Sequence, residues 1–127
     1  MKYRNAASGV LMLLAVAFLI HGAVAVISSA PTIPRNNIIG GGIACVTVSL
    51  LLGISAWGVY RRRLFWLACC TLTYIGLSVC AGTVYILATR TPYLASAAVV
   101  AIQVVMMPLY VLSCIMLVLW WREARAL

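Results

Sequence analysis

The sequence predicts an all-α integral membrane protein, with four antiparallel transmembrane helices in an up-down-up-down bundle and both termini in the cytoplasm. Three observations lead to this prediction. The 127 residues are 66% hydrophobic and only 8% charged, whereas soluble domains carry about 25% charged residues. Four apolar segments each reach the roughly 20 residues that a helix needs to cross a bilayer. The basic residues are concentrated on one side of these segments.

The four predicted helices span residues 7–29, 38–60, 64–88 and 93–121 of a single domain, residues 1–127. The links between them are short, so consecutive helices are expected to be neighbours that run in opposite directions. Pro31 and Pro34 are expected to stop the first helix, and Thr91-Pro92 favours the start of the fourth. No segment outside the helices is long enough to bury a core of its own.

The basic residues predict which way the bundle sits. One side carries Lys2, Arg4, Arg61, Arg62, Arg63, Arg122 and Arg125, and the other side carries Arg35 and Arg90. Because short cytoplasmic loops are enriched in Lys and Arg, the first side is expected to be cytoplasmic in an inner or plasma membrane. The basic cluster Arg61, Arg62, Arg63 is expected to attract anionic lipid. No soluble domain is present to carry a nucleic-acid interface.

The amino-terminal segment has a second interpretation. Lys2 and Arg4 precede an apolar run from Val10 to Ile20, and Ala23-Val24-Ala25 follows it, an arrangement typical of a signal peptide with its cleavage site. Cleavage there would leave three transmembrane helices. We favour the four-helix arrangement and keep cleavage as the alternative.

The charge inventory limits the possible chemistry. Glu123 is the single acidic residue of the chain, and it lies outside the predicted membrane spans. Mechanisms that need two carboxylates are therefore excluded, and Ser-His catalysis lacks an orienting acid. Ion-coupled transport lacks an acidic residue inside the membrane. We expect a protein that is not an enzyme.

Small and polar residues mark the helix faces that are expected to meet another helix. On the third helix, such residues recur at spacings of three and four and share one face. The residues predicted to form a polar interior are His21, Ser49, Thr71, Tyr74, Ser78, Tyr85, Gln103 and Tyr110. Two interpretations stay open for them: helix packing, which we favour, and a polar pathway. Pro108 interrupts the fourth helix and predicts either a static bend or a hinge.

A metal site is the weaker of two interpretations for the histidine. His21, Cys45 and Cys80 have similar predicted depths in the membrane, and one His with two Cys suits Cu(I) or Zn(II). The chain has no Cys-x-x-Cys motif, however, so we favour a neutral His21 that is hydrogen-bonded to a neighbouring helix. We expect no metal and no cofactor. All five cysteines lie within the predicted spans, which argues against a disulfide framework.

These observations favour an accessory, regulatory or immunity-type protein that acts through helix-helix contacts. Its expected partner is another membrane protein or a second copy of itself. The alternative is a homo-oligomeric channel or a passive small-solute transporter, with a path lined by Ser, Thr and Tyr side chains.

Overall fold

The computed structural model describes residues 2–28, 35–89 and 97–126, which form four α-helices. They are α1 (Lys2–Ile27), α2 (Arg35–Tyr60), α3 (Phe65–Thr89) and α4 (Ala97–Ala126). Each is long and apolar enough to cross a membrane, which confirms the four predicted spans and indicates a multi-pass membrane protein. The predicted helix stops at Pro31 and Pro34 and the predicted start at Thr91-Pro92 lie outside the described residues.

Three helices extend beyond their predicted bounds at ends that carry charge. α1 begins at Lys2 instead of residue 7, α2 begins at Arg35 instead of residue 38, and α4 continues to Ala126 instead of residue 121. Apolar length identifies the part of a helix that lies in the bilayer, whereas the backbone hydrogen bonds continue for another turn or more. α4 is also continuous through Pro108, whose side chain is exposed.

α1 is the central helix and packs most extensively against α2, then against α4. The Ser8 hydroxyl donates to the Ala56 carbonyl at 2.8 Å, and the Ser49 hydroxyl donates to the Ala15 carbonyl at 2.7 Å. In these two hydrogen bonds, the higher residue number on α1 is paired with the lower residue number on α2. The side chains of Leu11, Leu14 and Leu52 lie between these two contacts and are completely buried.

The turn between α2 and α3 is tight because the end of α2 closes in a Schellman motif. The Arg63 N–H donates to the Gly58 carbonyl at 2.6 Å, and the Arg62 N–H donates to that of Val59 at 3.1 Å. Arg62 takes a φ of 59° and Leu64 a φ of 57°, a region in which side chains are strained. A Cβ on Gly58 would lie 2.7 Å from the Leu64 Cβ, so glycine is required there.

Only the first half of α3 is packed into the bundle. Ala68, Leu72 and Ile75 are buried, and the Tyr110 hydroxyl donates to the Leu72 carbonyl at 2.7 Å. Every described side chain from Leu77 to Thr89 is exposed. α3 therefore diverges from the other helices beyond Ile75, and its contact with α4 is the smallest of any helix pair that touches.

Aromatic rings cover the end of the bundle at which α2 turns into α3. Phe65 stacks on Trp121 with ring centroids 5.7 Å apart and lies 5.8 Å from Trp120. The Arg125 guanidinium lies over the Trp121 ring, 4.7 Å from its centroid. We call this the basic end, because the residues that lie here include Lys2, Arg4, Arg61, Arg62, Arg63, Arg122 and Arg125.

Candidate functional site

A polar cluster on three helices is centred on His21. The Gln103 amide nitrogen lies 3.2 Å from His21 Nε2, and the Cys45 sulfur lies 3.5 Å from His21 Nδ1. With the amide donating to Nε2, the ring is neutral and protonated on Nδ1, whose N–H faces the sulfur. All three side chains are half-buried. His21 thus connects α1 to both α2 and α4.

A glycine makes the close approach of Cys45 possible. A Cβ on Gly22 would lie 2.8 Å from the Cys45 Cβ, so only glycine fits beside His21 at this crossing. Small residues at helix interfaces in membranes have this role because they let two backbones come together. The sequence predicts similar depths in the membrane for Cys45 and His21, but depth alone does not show that the two side chains touch.

The third residue of the predicted metal site does not join this cluster. Cys80 lies on the exposed half of α3. Within residues 2–28, 35–89 and 97–126, no group of three His, Cys, Asp or Glu side chains is placed to hold a metal ion. The structure therefore brings together two of the three residues and leaves Cys80 apart.

Three of the predicted interior hydroxyls are satisfied by carbonyl groups of the chain. Ser49 and Thr71 are buried, and they donate to Ala15 and Leu67 respectively. Tyr110 donates to Leu72 between α4 and α3, and a Cβ on Gly76 would lie 2.6 Å from the Tyr110 hydroxyl. Ser49 and Tyr110 thus tie helices together, whereas Thr71 bonds within its own helix.

The sequence analysis missed two further hydroxyls of the same kind. Ser55 and Ser113 are completely buried, and each donates to the carbonyl four residues earlier in its own helix. Such bonds satisfy a hydroxyl without a partner helix. For Ser113 the available signal was its position three residues after Tyr110, a spacing that puts both on one face of α4.

The remaining predicted interior residues of α3 lie on the outside of the chain. Tyr74 and Tyr85 are 59% and 64% exposed, and Ser78 is exposed as well. In the described part of the chain, their three hydroxyls form no hydrogen bond. The prediction assumed that a neighbouring helix covers this face along the whole of α3. Ser78 and Tyr85 are uncovered because the helix diverges beyond Ile75, whereas Tyr74 lies beside the packed face formed by Ala68, Leu72 and Ile75.

The single acidic side chain of the protein binds the start of α1. Glu123 accepts hydrogen bonds from the Lys2 N–H at 2.6 Å and the Tyr3 N–H at 3.0 Å. The first N–H groups of a helix have no partner within it, and they favour a negative charge. Glu123 lies beyond the apolar part of α4. The hydrogen bonds from the Tyr3 and Lys2 N–H groups hold the pKa of its carboxyl group below the usual range. The sequence predicts that Glu123 lies outside the membrane spans but does not predict its contact with α1.

The basic cluster Arg61, Arg62, Arg63 is exposed at the turn. The Arg61 guanidinium lies over the Trp57 ring, 5.9 Å from its centroid. Arg4 comes from α1 to lie over Tyr60 at 4.9 Å. Because the only carboxylate side chain is bonded to the start of α1, the cations at this end are stacked on aromatic rings or open to their surroundings.

Comparison with protein-family models, with curated proteins and with solved structures gives no match for this chain. Of the two polar features of the chain, the His21 cluster is internal and joins helices of the bundle, whereas the uncovered polar face of α3 is open to a partner.

Proposed function

We propose that this chain is a non-enzymatic accessory, regulatory or immunity-type protein that binds another membrane protein through α3. The contact surface is the α3 face, which we define as Tyr74, Ser78, Gly82 and Tyr85. The observation that supports it is the exposure of three hydroxyls on this face without a hydrogen-bond partner in the described chain. Polar groups in hydrocarbon favour a helix that can satisfy them.

The depth of these hydroxyls strengthens the proposal. At 1.5 Å per residue from Phe65, Tyr74 lies about 13 Å and Ser78 about 19 Å along a helix of about 37 Å. Both therefore fall in the middle of a span, where the short Ser78 side chain cannot reach water. Ser78 and Gly82 form a small-x-x-x-small pair, which lets a partner helix approach closely.

The proposed arrangement in the membrane is an antiparallel bundle with both termini in the cytoplasm of a cell with an inner or plasma membrane. The opposite order of the α1 and α2 contacts supports the antiparallel course. The concentration of Lys and Arg at the basic end supports a cytoplasmic position for that end. The α3 face is then presented from the middle of the bilayer to its outer side.

A glycine pair tests the partner contact. Gly82→Leu blocks the α3 face, and Gly9→Leu makes the same change on α1; a Cβ at either position meets nothing within 4 Å. Tagged protein is purified from membranes of its own host, and co-purifying membrane proteins are quantified. We expect a stoichiometric partner whose recovery falls at least tenfold with Gly82→Leu and is unchanged with Gly9→Leu. Equal recovery with both variants would contradict the proposal.

A homo-oligomeric channel or passive transporter is the second candidate. It is favoured by the same three hydroxyls, because a symmetric oligomer joined near α3 would gather them around one path. Purified protein in liposomes tests it by solute flux. Selective flux that Ser78→Leu abolishes and Gly9→Leu preserves would replace the first proposal. Absence of flux from correctly inserted protein would remove the second.

A further inference from the structure

α1 and α2 border an open groove with a volume of about 340 Å³ on the surface of the bundle. Its lining includes Met12, Ser49, Leu50, Gly53, Ile54 and Trp57. The Ser49 hydroxyl is already donated to the Ala15 carbonyl, so the groove offers its occupant a largely apolar wall. A Cβ on Gly53 would meet nothing within 4 Å, because the missing side chain leaves open space there.

One end of the groove carries a cation. Trp57 belongs to the lining and is 55% exposed, and the Arg61 guanidinium lies over its ring. From Ser49 to Trp57 the groove follows α2 for about 12 Å. An elongated apolar surface thus leads to an arginine at the basic end, where the bilayer surface is expected.

The charge around Arg61 favours an anionic occupant. Arg62 and Arg63 are exposed beside it, and Arg4 lies over Tyr60, one residue away. The one carboxylate side chain of the protein is engaged by Lys2 and Tyr3. Arginine recognises phosphate through paired N–H donors, and nearby cations add attraction for a headgroup with net negative charge.

We propose that the groove binds one acyl chain of an anionic phospholipid, whose phosphate is held by Arg61. The apolar wall and the open space at Gly53 accept the chain. Arg61 and its basic neighbours select the headgroup. The site differs from the α3 face and does not depend on any partner protein.

Filling the groove is the first test. Purified full-length protein is incubated with phosphatidylglycerol or phosphatidylcholine of identical acyl chains, and bound lipid is counted by native mass spectrometry. We expect one retained phosphatidylglycerol, preferred at least fivefold. Gly53→Leu is expected to reduce its retention about tenfold. Gly82→Leu, the same change in open space on α3, is expected to leave it unchanged.

Removing the cation is the second test. Arg61→Gln is expected to abolish the preference for phosphatidylglycerol, whereas Arg35→Gln at the start of α2 keeps it. Brominated acyl chains are expected to quench fluorescence in the wild type and much less in Trp57→Phe. Equal retention in Gly53→Leu and Gly82→Leu would overturn the proposal and indicate unselective surrounding lipid. Loss in both variants, or an unchanged preference in Arg61→Gln, would overturn it too.

Discussion

Glu123 near the end of α4 accepts a hydrogen bond from the backbone N–H of Lys2, at 2.6 Å and across 121 residues of sequence. The Tyr3 N–H donates a second hydrogen bond to the other carboxylate oxygen, so both oxygens of Glu123 accept from the start of α1. The only acidic residue of the chain therefore acts as the missing cap of α1. It joins the first and last helices at the basic end.

Replacing this carboxylate should weaken the junction between α1 and α4. We expect Glu123→Ala to lower the melting temperature in detergent, and Glu123→Gln to lower it less because an amide keeps one acceptor. Thermal unfolding followed by circular dichroism measures both. Arg122→Ala, at the neighbouring position, serves as the control. A melting temperature unchanged in Glu123→Ala would show that the contact contributes no stability.

The same contact predicts a dependence on pH. Because the pKa of Glu123 is lowered in the folded protein, its contribution is present above the ordinary Glu pKa of about 4.3 and is lost as pH falls through the lowered value. Acidification from pH 7 to 3 should therefore reduce the melting temperature more in the wild type than in Glu123→Gln. Parallel curves for the two proteins would argue against the carboxylate as the titrating group.

Glu123 also illustrates what the sequence predicts and what it does not. Apolar length is a local property, so the four spans could be predicted, and the main departures lie at the charged ends of α1, α2 and α4. The contact of Glu123 with Lys2 depends on how two distant helices align. The exposure of Ser78 and Tyr85 likewise depends on the course of α3 beyond Ile75, which periodicity does not determine. Periodicity identifies a face but not what covers it.

The His21 cluster should stabilise the bundle by a small, measurable amount. Gln103→Leu leaves His21 Nε2 without its partner, and hydrogen bonds between membrane helices contribute about 0.6 kcal/mol on average. We expect a loss of that size, ~0.6 kcal/mol, in the free energy of unfolding. Cys45→Ala should also destabilise, whereas Cys80→Ala on the exposed half of α3 should not. Denaturant-induced unfolding in mixed micelles measures the free energy of unfolding of the three variants. Equal effects of Cys45→Ala and Cys80→Ala would contradict a stabilising role for the His21 cluster.

The turn between α2 and α3 should gain stability when Arg62 is replaced by glycine. Arg62 adopts a φ of 59°, a conformation that costs a residue with a side chain about 1 kcal/mol relative to glycine. Arg62→Gly is expected to raise the free energy of unfolding by about that amount. Arg63→Gly removes the same charge at a residue whose φ is not positive, so no gain in the free energy of unfolding is expected. A comparable gain in both would assign the effect to charge instead of backbone conformation.

Gly76 tests whether the Tyr110 bond holds α3 to α4. A Cβ at residue 76 would lie 2.6 Å from the Tyr110 hydroxyl, so Gly76→Ala must displace the hydroxyl from the Leu72 carbonyl. We expect a cost of about 1–3 kcal/mol, typical of overpacking. Tyr110→Phe removes the clashing oxygen, so Gly76→Ala should cost much less in that background. Gly82→Ala, in open space, should cost little in either. Equal costs of Gly76→Ala in the two backgrounds would show that the hydroxyl is not the clashing group.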